Sequence, residues 1–501
     1  MKKEKMQSIV FSLLVAFCFL TICSRSSFIY PFNNWDDSNS YFTMGKMMMN
    51  GGIIYRDLFD QKGPLLYFIY GLGYMLSHES FAGVFVLEIL FFTAFLMAEY
   101  KISRLYVGHK IALGLLPFAA PVVLVSKSFY WGGCAEEFCL PLFAWGVYFS
   151  VKYFKEDYPN PMSNKIVLLN GFLAGCILLI KFNFLGLYFA WMAMIVLANF
   201  NRRNWKRALL NCVVFLGGMA LPLIPWLIYF GIHGALDDWY HAYVYCNVFL
   251  YSDLYYKETI DLGAKIYTLA KILYWLIIDN FVYFAFIILG FAGVLFSRKF
   301  RWYEKINIYG MFVFLFLGIY IGGTTLFYYS LPLSVFSIFG LILIGIGIER
   351  LTRLFYVDEM SKKFLPVLGV VAYTSLLLLA WNLSMNTEYA KQDKEDFWLI
   401  NFRDIVKQED DATLLNIGCL DAGLYTAADV MPTCRYFQSN AVHGFDEFAQ
   451  EQLRYIKEGQ IEFVLAREVY PEEIWQNYNL VAEQPYVIGE NEFTYYLFQR
   501  K

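Results

Sequence analysis

Charged residues are concentrated in one short stretch of an otherwise apolar chain, between positions 35 and 64. Asp36 and Asp37 form an acidic pair, and Arg56 and Lys62 follow within the run YRDLFDQKGP. A carboxylate within hydrogen-bond reach of a hydroxyl can take its proton as the hydroxyl attacks a carbon atom. A phosphate leaving group departs as an anion, so it needs cations more than it needs an acid. One carboxylate such as Asp36, with cations such as Lys62 and Arg56, would therefore suffice for transfer of a group from a phosphate to a hydroxyl.

The surroundings of these charges leave two interpretations. Taken singly, each charge is typical of a solvated loop residue at a membrane interface. The aromatic residues that flank them are of the kind that favours the lipid headgroup region, namely Trp35, Tyr41, Tyr55, Phe59 and Tyr67. Segments 38–50 and 64–78 predict short amphipathic helices on the membrane surface. Because fixed charge near a bilayer is costly unless it meets water, protein or ligand, the combination predicts an active site at the depth of a lipid phosphate.

The composition indicates the class of protein that holds this loop. The chain has 501 residues, of which 58% are hydrophobic, 20% aromatic and 17% charged, with a mean hydropathy of +0.45. Apolar segments of about 17–25 residues are long enough to cross a bilayer as helices. We place about eleven of them, at 8–24, 81–99, 110–127, 138–153, 166–180, 184–200, 208–231, 272–296, 307–325, 330–348 and 364–383. The sequence therefore predicts a polytopic α-helical membrane protein.

The distribution of Lys and Arg predicts the orientation. Short cytoplasmic loops carry an excess of these residues, and here they cluster before the first span and in alternate loops after it. The N-terminus is therefore predicted in the cytoplasm, and the first span is predicted to be a retained anchor because no small-residue cleavage site follows it. Segments 25–80, 128–137, 232–271 and everything after 383 are then outside, in a multi-pass protein of the plasma membrane.

A change of composition past Trp381 predicts a second domain. Short β-type runs and helical stretches alternate there, at 413–417, 447–457, 461–465, 471–478 and 493–498. We expect residues 1–383 to form a transmembrane domain with a catalytic outer loop at 25–80, and residues 384–501 to form a small extracytoplasmic α/β domain. That domain has no Gly-rich phosphate loop, so neither a nucleotide nor nucleic acid is a predicted partner.

The nine cysteines leave one question open. Most lie in or beside apolar spans, where a buried thiol behaves as a small hydrophobic group. Cys419 and Cys434 fall in the predicted outer domain, where a disulfide is chemically permitted, and the sequence leaves the paired and free states equally open. No spacing of Cys or His resembles a zinc site.

The charged stretch also resembles a known family. The elements that carry the resemblance are, in order, Asp36-Asp37, Tyr41, Tyr55-Arg56-Asp57 and Lys62-Gly63-Pro64-Leu65-Leu66. Together they resemble the first outer loop of the C-type superfamily of membrane glycosyltransferases. The likeness is to family 39, the protein O-mannosyltransferase type, and to the lipid A aminoarabinose transferases. It implies their architecture, with about eleven spans, a long first outer loop and an outer C-terminal domain.

The resemblance also implies an activity, which is transfer of a sugar from a polyprenyl-phosphate donor on the outer face. Asp36 matches the catalytic base of the family, and Asp37 matches an acid that positions the acceptor or a metal. Lys62 matches the cation that binds the donor phosphate. Gln61 departs from the acid that the aminoarabinose enzymes carry there, so no cofactor is certain and a divalent metal stays open.

Three charged residues in later segments are further candidates. Lys181 ends a span on the predicted outer side, where it either binds the donor phosphate or extends its ammonium to the interface. Glu136 and Glu137 head the fourth span, where the helix dipole alone favours acids. The family commonly places a second acid in this loop, which implies a role in positioning the acceptor or a metal.

Several tyrosines are candidate sugar contacts. Tyr328 and Tyr329 lie in Thr324–Pro332, which resembles an aromatic element of the family, and Tyr55 lies in the charged loop. The alternative for each is an ordinary tyrosine of the membrane interface. The Tyr-rich loop 232–271 is predicted to be interfacial structure or a mobile lid.

The rival hypothesis is a transporter or flippase of lipid-linked sugars, and a third is a polymer ligase. Transporters usually show internal repeats and charged or broken residues near mid-bilayer. No repeat is visible in this sequence, and its charges are predicted on one side. The sequence leaves open the sugar, the acceptor (glycan, lipid or protein), the length of the carrier, the metal and the oligomeric state.

Overall fold

The computed structural model describes residues 2–250, 261–323, 325–354, 359–392, 397–439, 446–488 and 491–501. Part of the predicted lid, 251–260, and Thr324 of the predicted aromatic element lie outside the described residues. The chain divides into two compact units. The first unit comprises residues 1–24, 88–225 and 259–387, and the second comprises 25–87, 226–258 and 388–501. The predicted boundary near residue 383 concerns membrane insertion, which this division does not test, and it stays a prediction.

Most of the described chain is helical. The α-helices are, in order, α1 (Lys2–Cys23), α2 (Asp36–Met49), α3 (Pro64–Leu76), α4 (Ala82–Arg104), α5 (His109–Leu124), α6 (Ala135–Lys152), α7 (Asn164–Ile180), α8 (Gly186–Phe200), α9 (Trp205–Ala220), α10 (Leu223–Ile232), α11 (Leu236–Trp239), α12 (Leu262–Asp279), α13 (Phe281–Phe296), α14 (Trp302–Tyr320), α15 (Ile338–Leu354), α16 (Glu359–Leu383), α17 (Trp398–Val406), α18 (Leu424–Ala427), α19 (Asp446–Lys457) and α20 (Ile474–Asn477). Short 3₁₀ or π segments lie at Tyr153–Asp157, Phe182–Leu185, Tyr240–Leu250, Phe327–Ser337 and Tyr389–Lys391. The strands are β1 (Leu414–Ile417), β2 (Phe463–Arg467), β3 (Tyr478–Ile488) and β4 (Asn491–Arg500).

The first unit is a bundle of apolar helices. In it α7 packs on α9, α8 on α14, α13 on α15, and α1 on both α5 and α16. Among the described residues, four helices are long and apolar enough to cross a membrane, or six if each of two bent helix pairs is one span. Other apolar helices, such as α5 and α7, are shorter. The protein is a multi-pass membrane protein, and the number of eleven spans stays a prediction.

Two predicted spans are bent. The span predicted at 208–231 is α9 followed by α10 at 45°, and the span predicted at 272–296 is α12 followed by α13 at 112°. Pro222 follows the first helix of one pair, and proline cannot continue the backbone hydrogen-bond ladder. Asn280 lies at the second break, where its side chain accepts a hydrogen bond from the Ser128 N–H at 2.9 Å. An Asn side chain competes with helical backbone bonds, which explains a break that apolarity alone does not predict.

The second unit contains α2, α3 and a four-stranded sheet of order β1-β2-β4-β3. β1 and β2 are parallel, whereas β4 is antiparallel to both β2 and β3. The β-type runs at 413–417, 461–465 and 493–498 overlap β1, β2 and β4. The stretch 471–478 was predicted helical, but only Ile474–Asn477 is helical, and the mostly exposed edge strand β3 follows it. Pro485 lies in this strand, a position that proline tolerates only at a sheet edge.

The aromatic residues around the charged loop are core residues, not headgroup residues. Trp35, Tyr41, Tyr55, Phe59 and Tyr67 are all buried inside the protein. Ring contacts within the second unit, such as Tyr55 with Tyr67 at 5.9 Å between centroids, replace the predicted lipid contacts. The two short helices predicted at 38–50 and 64–78 are present as α2 and α3, which pack against each other, and their place on the membrane surface stays a prediction.

The contact between α2 and α3 depends on small residues. Gly45 of α2 faces the backbone of Tyr67, Tyr70 and Gly71 of α3, and a Cβ atom there would collide with it. Glycine therefore lets the two backbones approach closely. This packing explains why the middle of α2 is buried although several of its residues are polar.

Candidate functional site

Asp36 is the first residue of α2 and belongs to the second unit. The free N–H groups at a helix N-terminus favour a negative charge, so the backbone itself stabilises a carboxylate there. The Asp36 carboxylate forms two bonds with one guanidinium group, from Arg467 Nη2 to Oδ2 at 2.8 Å and from Nη1 to Oδ1 at 3.3 Å. Its side chain is 21% exposed, and that of Arg467 is 16% exposed. The predicted base is therefore largely desolvated, held by an arginine, and still open to a small part of solvent.

Burial raises the pKa of Asp36 to about 6, and the charge and hydrogen bonds of Arg467 oppose that rise. Asp37, half-buried in the same turn, adds a smaller upward effect through its own charge. A carboxyl group with a pKa near 6 is ionised at neutral pH yet more basic than an ordinary carboxylate. This is the range in which a general base works efficiently.

The loop between α2 and α3 holds the backbone of Lys62 from two sides. The Tyr55 hydroxyl donates to the Lys62 carbonyl at 2.7 Å, and the Lys62 N–H donates to the Tyr67 hydroxyl at 2.8 Å. That hydroxyl in turn donates to the Asp60 carboxylate at 2.7 Å. Burial raises the pKa of Asp60, while the Lys62 ammonium acts to lower it. The half-buried Lys62 side chain therefore belongs to a fixed loop.

Tyr55 occupies an unusual backbone position in this loop. Its φ is 71°, in the left-handed region that residues other than Gly, Asn and Asp seldom adopt. Its ring is buried, and its hydroxyl is used by Lys62. Tyr55 therefore has a structural role in shaping the loop, and its role as a sugar contact stays a prediction.

Arg56, the next residue, is exposed. Its guanidinium pairs with Asp57 at 2.9 Å and donates to the His233 carbonyl at 3.1 Å. Both partners belong to the second unit. Arg56 is thus a surface cation of the same loop as Lys62, and its binding of the donor phosphate stays a prediction.

The first unit brings four predicted residues together. Lys181, directly after α7, contacts Glu136 in the first turn of α6, with 2.5 Å between Nζ and Oε1. The ammonium also lies 3.2 Å from the ring centroid of Tyr329 and 5.6 Å from that of Tyr328. Lys181 is 12% exposed and Glu136 only 1%. Lys181 is thus largely enclosed by protein side chains.

Glu136 and Glu137 differ in their surroundings despite being neighbours. The Glu136 Oε2 atom is buried without a hydrogen-bond partner, so this carboxylate depends on Lys181. Glu137 instead accepts a bond from the Gly133 N–H at 2.8 Å and contacts Glu88. Glu88 accepts from Ser24 at 2.8 Å. Glu137 therefore supports the turn before α6, whereas Glu136 belongs with Lys181.

The described part of the chain was compared with the predictions for a metal site and for a disulfide. Within it, no group of three or more His, Cys, Asp or Glu side chains is arranged to hold a metal ion. Cys419 and Cys434 are both buried free thiols, so the two do not form the disulfide that the sequence leaves open.

Arg467 is the residue that the sequence analysis misses. It lies 431 positions after Asp36 and ends β2, and no motif surrounds it. The one available signal is its place at the carboxyl end of a parallel strand, where functional side chains often lie.

Comparisons with known proteins identify the fold. No family model matches the sequence, and no curated protein matches it. Among solved structures, ArnT from Cupriavidus metallidurans bound to undecaprenyl phosphate is 12% identical, with a TM-score of 0.63 over 98% of this chain and 97% of that chain. Its apo state gives a TM-score of 0.60 at 12% identity, over 99% and 98%. The Archaeoglobus fulgidus oligosaccharyltransferase in complex with Zn and sulfate gives 0.52 at 13% identity, over 91% and 67%.

The chain therefore has the fold of the C-type membrane glycosyltransferases, to which ArnT and this oligosaccharyltransferase belong. The resemblance inferred from residues 36–66 is confirmed at the level of the fold. At these identities, the comparison concerns the fold and not the individual site residues.

Proposed function

We propose that this protein is an inverting glycosyltransferase, which moves a sugar from a polyprenyl-phosphate donor to an acceptor hydroxyl or phosphate on the outer face of the membrane. The observation that carries the proposal is a mostly buried, arginine-held carboxylate, Asp36, in a chain with this fold. The ArnT chain that shares the fold over nearly its full length was solved with undecaprenyl phosphate. That ligand supports a lipid-linked donor here.

The proposed reaction is a single displacement. Asp36 takes the proton of the acceptor hydroxyl as its oxygen attacks the anomeric carbon. The bond from that carbon to the phosphate oxygen breaks, and its electron pair leaves with the phosphate. Lys62 and Arg56 hold the charge that develops on the phosphate. Because the acceptor and the phosphate lie on opposite faces of the sugar, the product has inverted configuration.

The residues of the first unit receive roles of their own in this proposal. Lys181 is a further cation for the anionic donor headgroup, and Glu136 holds its ammonium in place when no donor is bound. Tyr328 and Tyr329 lie beside that ammonium and are candidate sugar contacts. Asp37 positions the acceptor.

The alternative of a transporter or flippase is not favoured. The solved chains that share this fold are a transferase and an oligosaccharyltransferase by name.

The experiment that tests the proposal is an assay of purified protein in lipid nanodiscs against a panel of polyprenyl-phosphate hexoses and pentoses. Release of polyprenyl phosphate identifies the donor, and NMR coupling constants of the isolated product give its anomeric configuration. We expect one donor class to be consumed with inversion. Retention of the donor configuration contradicts the single displacement, and release from no donor by folded protein contradicts the proposed function.

The outer location is tested separately with reporter fusions after Met385. We expect alkaline phosphatase to be active there and a cytoplasmic reporter to be inactive. The opposite pattern contradicts the proposed orientation.

A further inference from the structure

We propose that Arg467 is a positioning residue for the transfer reaction, which binds both oxygens of Asp36 and fixes the carboxylate toward the acceptor. The inference rests on the proposed function, since it assigns Arg467 to the same reaction. Nothing in the outer-loop resemblance points to this residue, because it comes from the C-terminal sheet of the second unit.

The geometry of the pair is that of a bidentate arginine–carboxylate bridge. Its two N···O distances are 2.8 and 3.3 Å, one to each carboxylate oxygen. Two parallel bonds fix the carboxylate plane, which one bond from a lysine does not. A carboxylate has about four lone-pair positions, so each oxygen of Asp36 keeps room for an acceptor hydroxyl. Arg467 therefore orients the base without blocking it.

Arg467 is itself fixed by the sheet. It is the last residue of β2, and the following residue, Glu468, has a φ of 64° and donates its N–H to the Thr494 carbonyl at 2.9 Å. The Thr494 N–H returns a bond to the Glu468 carboxylate at 2.5 Å. Gly418 packs so tightly that a Cβ atom there would lie 2.5 Å from the Arg467 carbonyl oxygen. A rigid strand end thus supplies a guanidinium at a constant place.

The side chain of Arg467 is held as well. Its guanidinium lies 5.1 Å from the ring centroid of Phe493 and contacts Tyr495, both on the neighbouring strand β4. The other titratable groups near Asp36 are Asp37 on α2, Cys419 and Asp421 after β1, and Tyr495 on β4. Arg467 is the cation whose charge and hydrogen bonds act on the Asp36 carboxylate.

The test is a double-variant cycle on the full-length protein, with the donor identified by the panel assay. Arg467→Gln removes the charge and the second bond. We expect kcat to fall about 10- to 100-fold with donor KM unchanged, as for loss of hydrogen bonds to a charged group. Arg467→Lys keeps the charge and restores part of the rate. In the Asp36→Asn background, where no base remains to be positioned, Arg467→Gln causes no further loss.

Arg500→Gln is the matched control, because Arg500 pairs with Glu462 at 2.8 Å on the same sheet, away from Asp36. It leaves kcat near the wild-type value. If Arg467→Gln does not elute as folded protein, Arg467→Lys replaces it in the double-variant cycle. Its loss of kcat is expected to be smaller and again to vanish in the Asp36→Asn background.

The outcomes separate this inference from the proposed function. A wild-type protein that transfers no sugar overturns the proposed function and this inference with it. An active wild type in which the losses of Arg467→Gln and Asp36→Asn multiply, or in which Arg467→Gln changes only donor KM, overturns the role of Arg467 alone.

Discussion

Two ion pairs, one in each compact unit, differ in which partner is the more exposed. In Asp36–Arg467 the acid is the more exposed partner, and a rigid strand end holds the arginine. In Lys181–Glu136 the cation is the more exposed partner, and the glutamate is buried in the first turn of a helix. The partner that reaches solvent is the one that can meet a substrate. Under the proposed function, Asp36 is then a base held by a cation, and Lys181 is a cation held by an acid.

The largest expected effect comes from removing the carboxylate of Asp36, the acid of the first pair. Asp36→Asn keeps size and much of the hydrogen bonding but removes the basicity. Because the acceptor proton then has no base, kcat falls about 10²- to 10⁴-fold while donor binding survives. Turnover and donor KM measured in nanodiscs check this. Asp404→Asn, an exposed aspartate paired with Arg403, is the control. Near-normal turnover of Asp36→Asn would remove Asp36 from the reaction.

Removing Lys181, the cation of the second pair, should first lower the stability of the protein. Lys181→Ala leaves the Glu136 carboxylate buried without its counter-charge, which costs about 3–5 kcal/mol of unfolding free energy. Thermal unfolding in detergent measures the loss. Adding Glu136→Gln restores most of the stability, because an amide needs no counter-charge.

The same two variants separate structure from binding at Lys181. If Lys181 also holds the donor, the stable double variant Lys181→Ala/Glu136→Gln keeps a raised donor KM. A double variant with normal donor KM would restrict Lys181 to a structural role and weaken the comparison.

Lys62 should affect binding, and because its ammonium also acts on the Asp60 carboxylate, thermal unfolding is measured beside the kinetics. Lys62→Ala is expected to raise donor KM and lower kcat, together about 10- to 100-fold in kcat/KM, as for loss of a charged hydrogen bond. Lys407→Ala, which breaks the exposed pair with Glu79, is the control. Unchanged kinetics of folded Lys62→Ala would exclude it from the site.

The smallest expected effect is the pH dependence of the activity, which tests the first pair without a substitution. Burial raises the pKa of Asp36 to about 6, and the base acts only when ionised. Activity should therefore be full above that pH and fall about tenfold for each pH unit below it. A profile of kcat/KM between about pH 4.5 and about pH 8, the range in which most proteins are stable, measures this fall in activity. The residual activity of Asp36→Asn should show no such fall, and a midpoint near the ordinary aspartate value would contradict the burial effect.

Several features follow from local sequence alone. The apolar segments predict helices because a bilayer or a core admits only backbone that bonds to itself. The outer-loop residues Asp36, Arg56 and Lys62 could be named because charge in an apolar chain is costly and therefore informative. Proline after α9 could have indicated the bend there, whereas the break at Asn280 depends on a side-chain bond to a distant backbone N–H.

Composition and residue spacing are enough to predict the class of protein, most of its helices and the polar residues that need an explanation. The partners of those residues become visible only in the folded chain. Arg467 meets Asp36 from the far end of the chain, and Lys181 meets Glu136 from another helix. The physical reason is that periodicity and composition report on near neighbours along the chain. An ion pair depends on packing that brings distant segments within hydrogen-bond distance, and no local pattern encodes that.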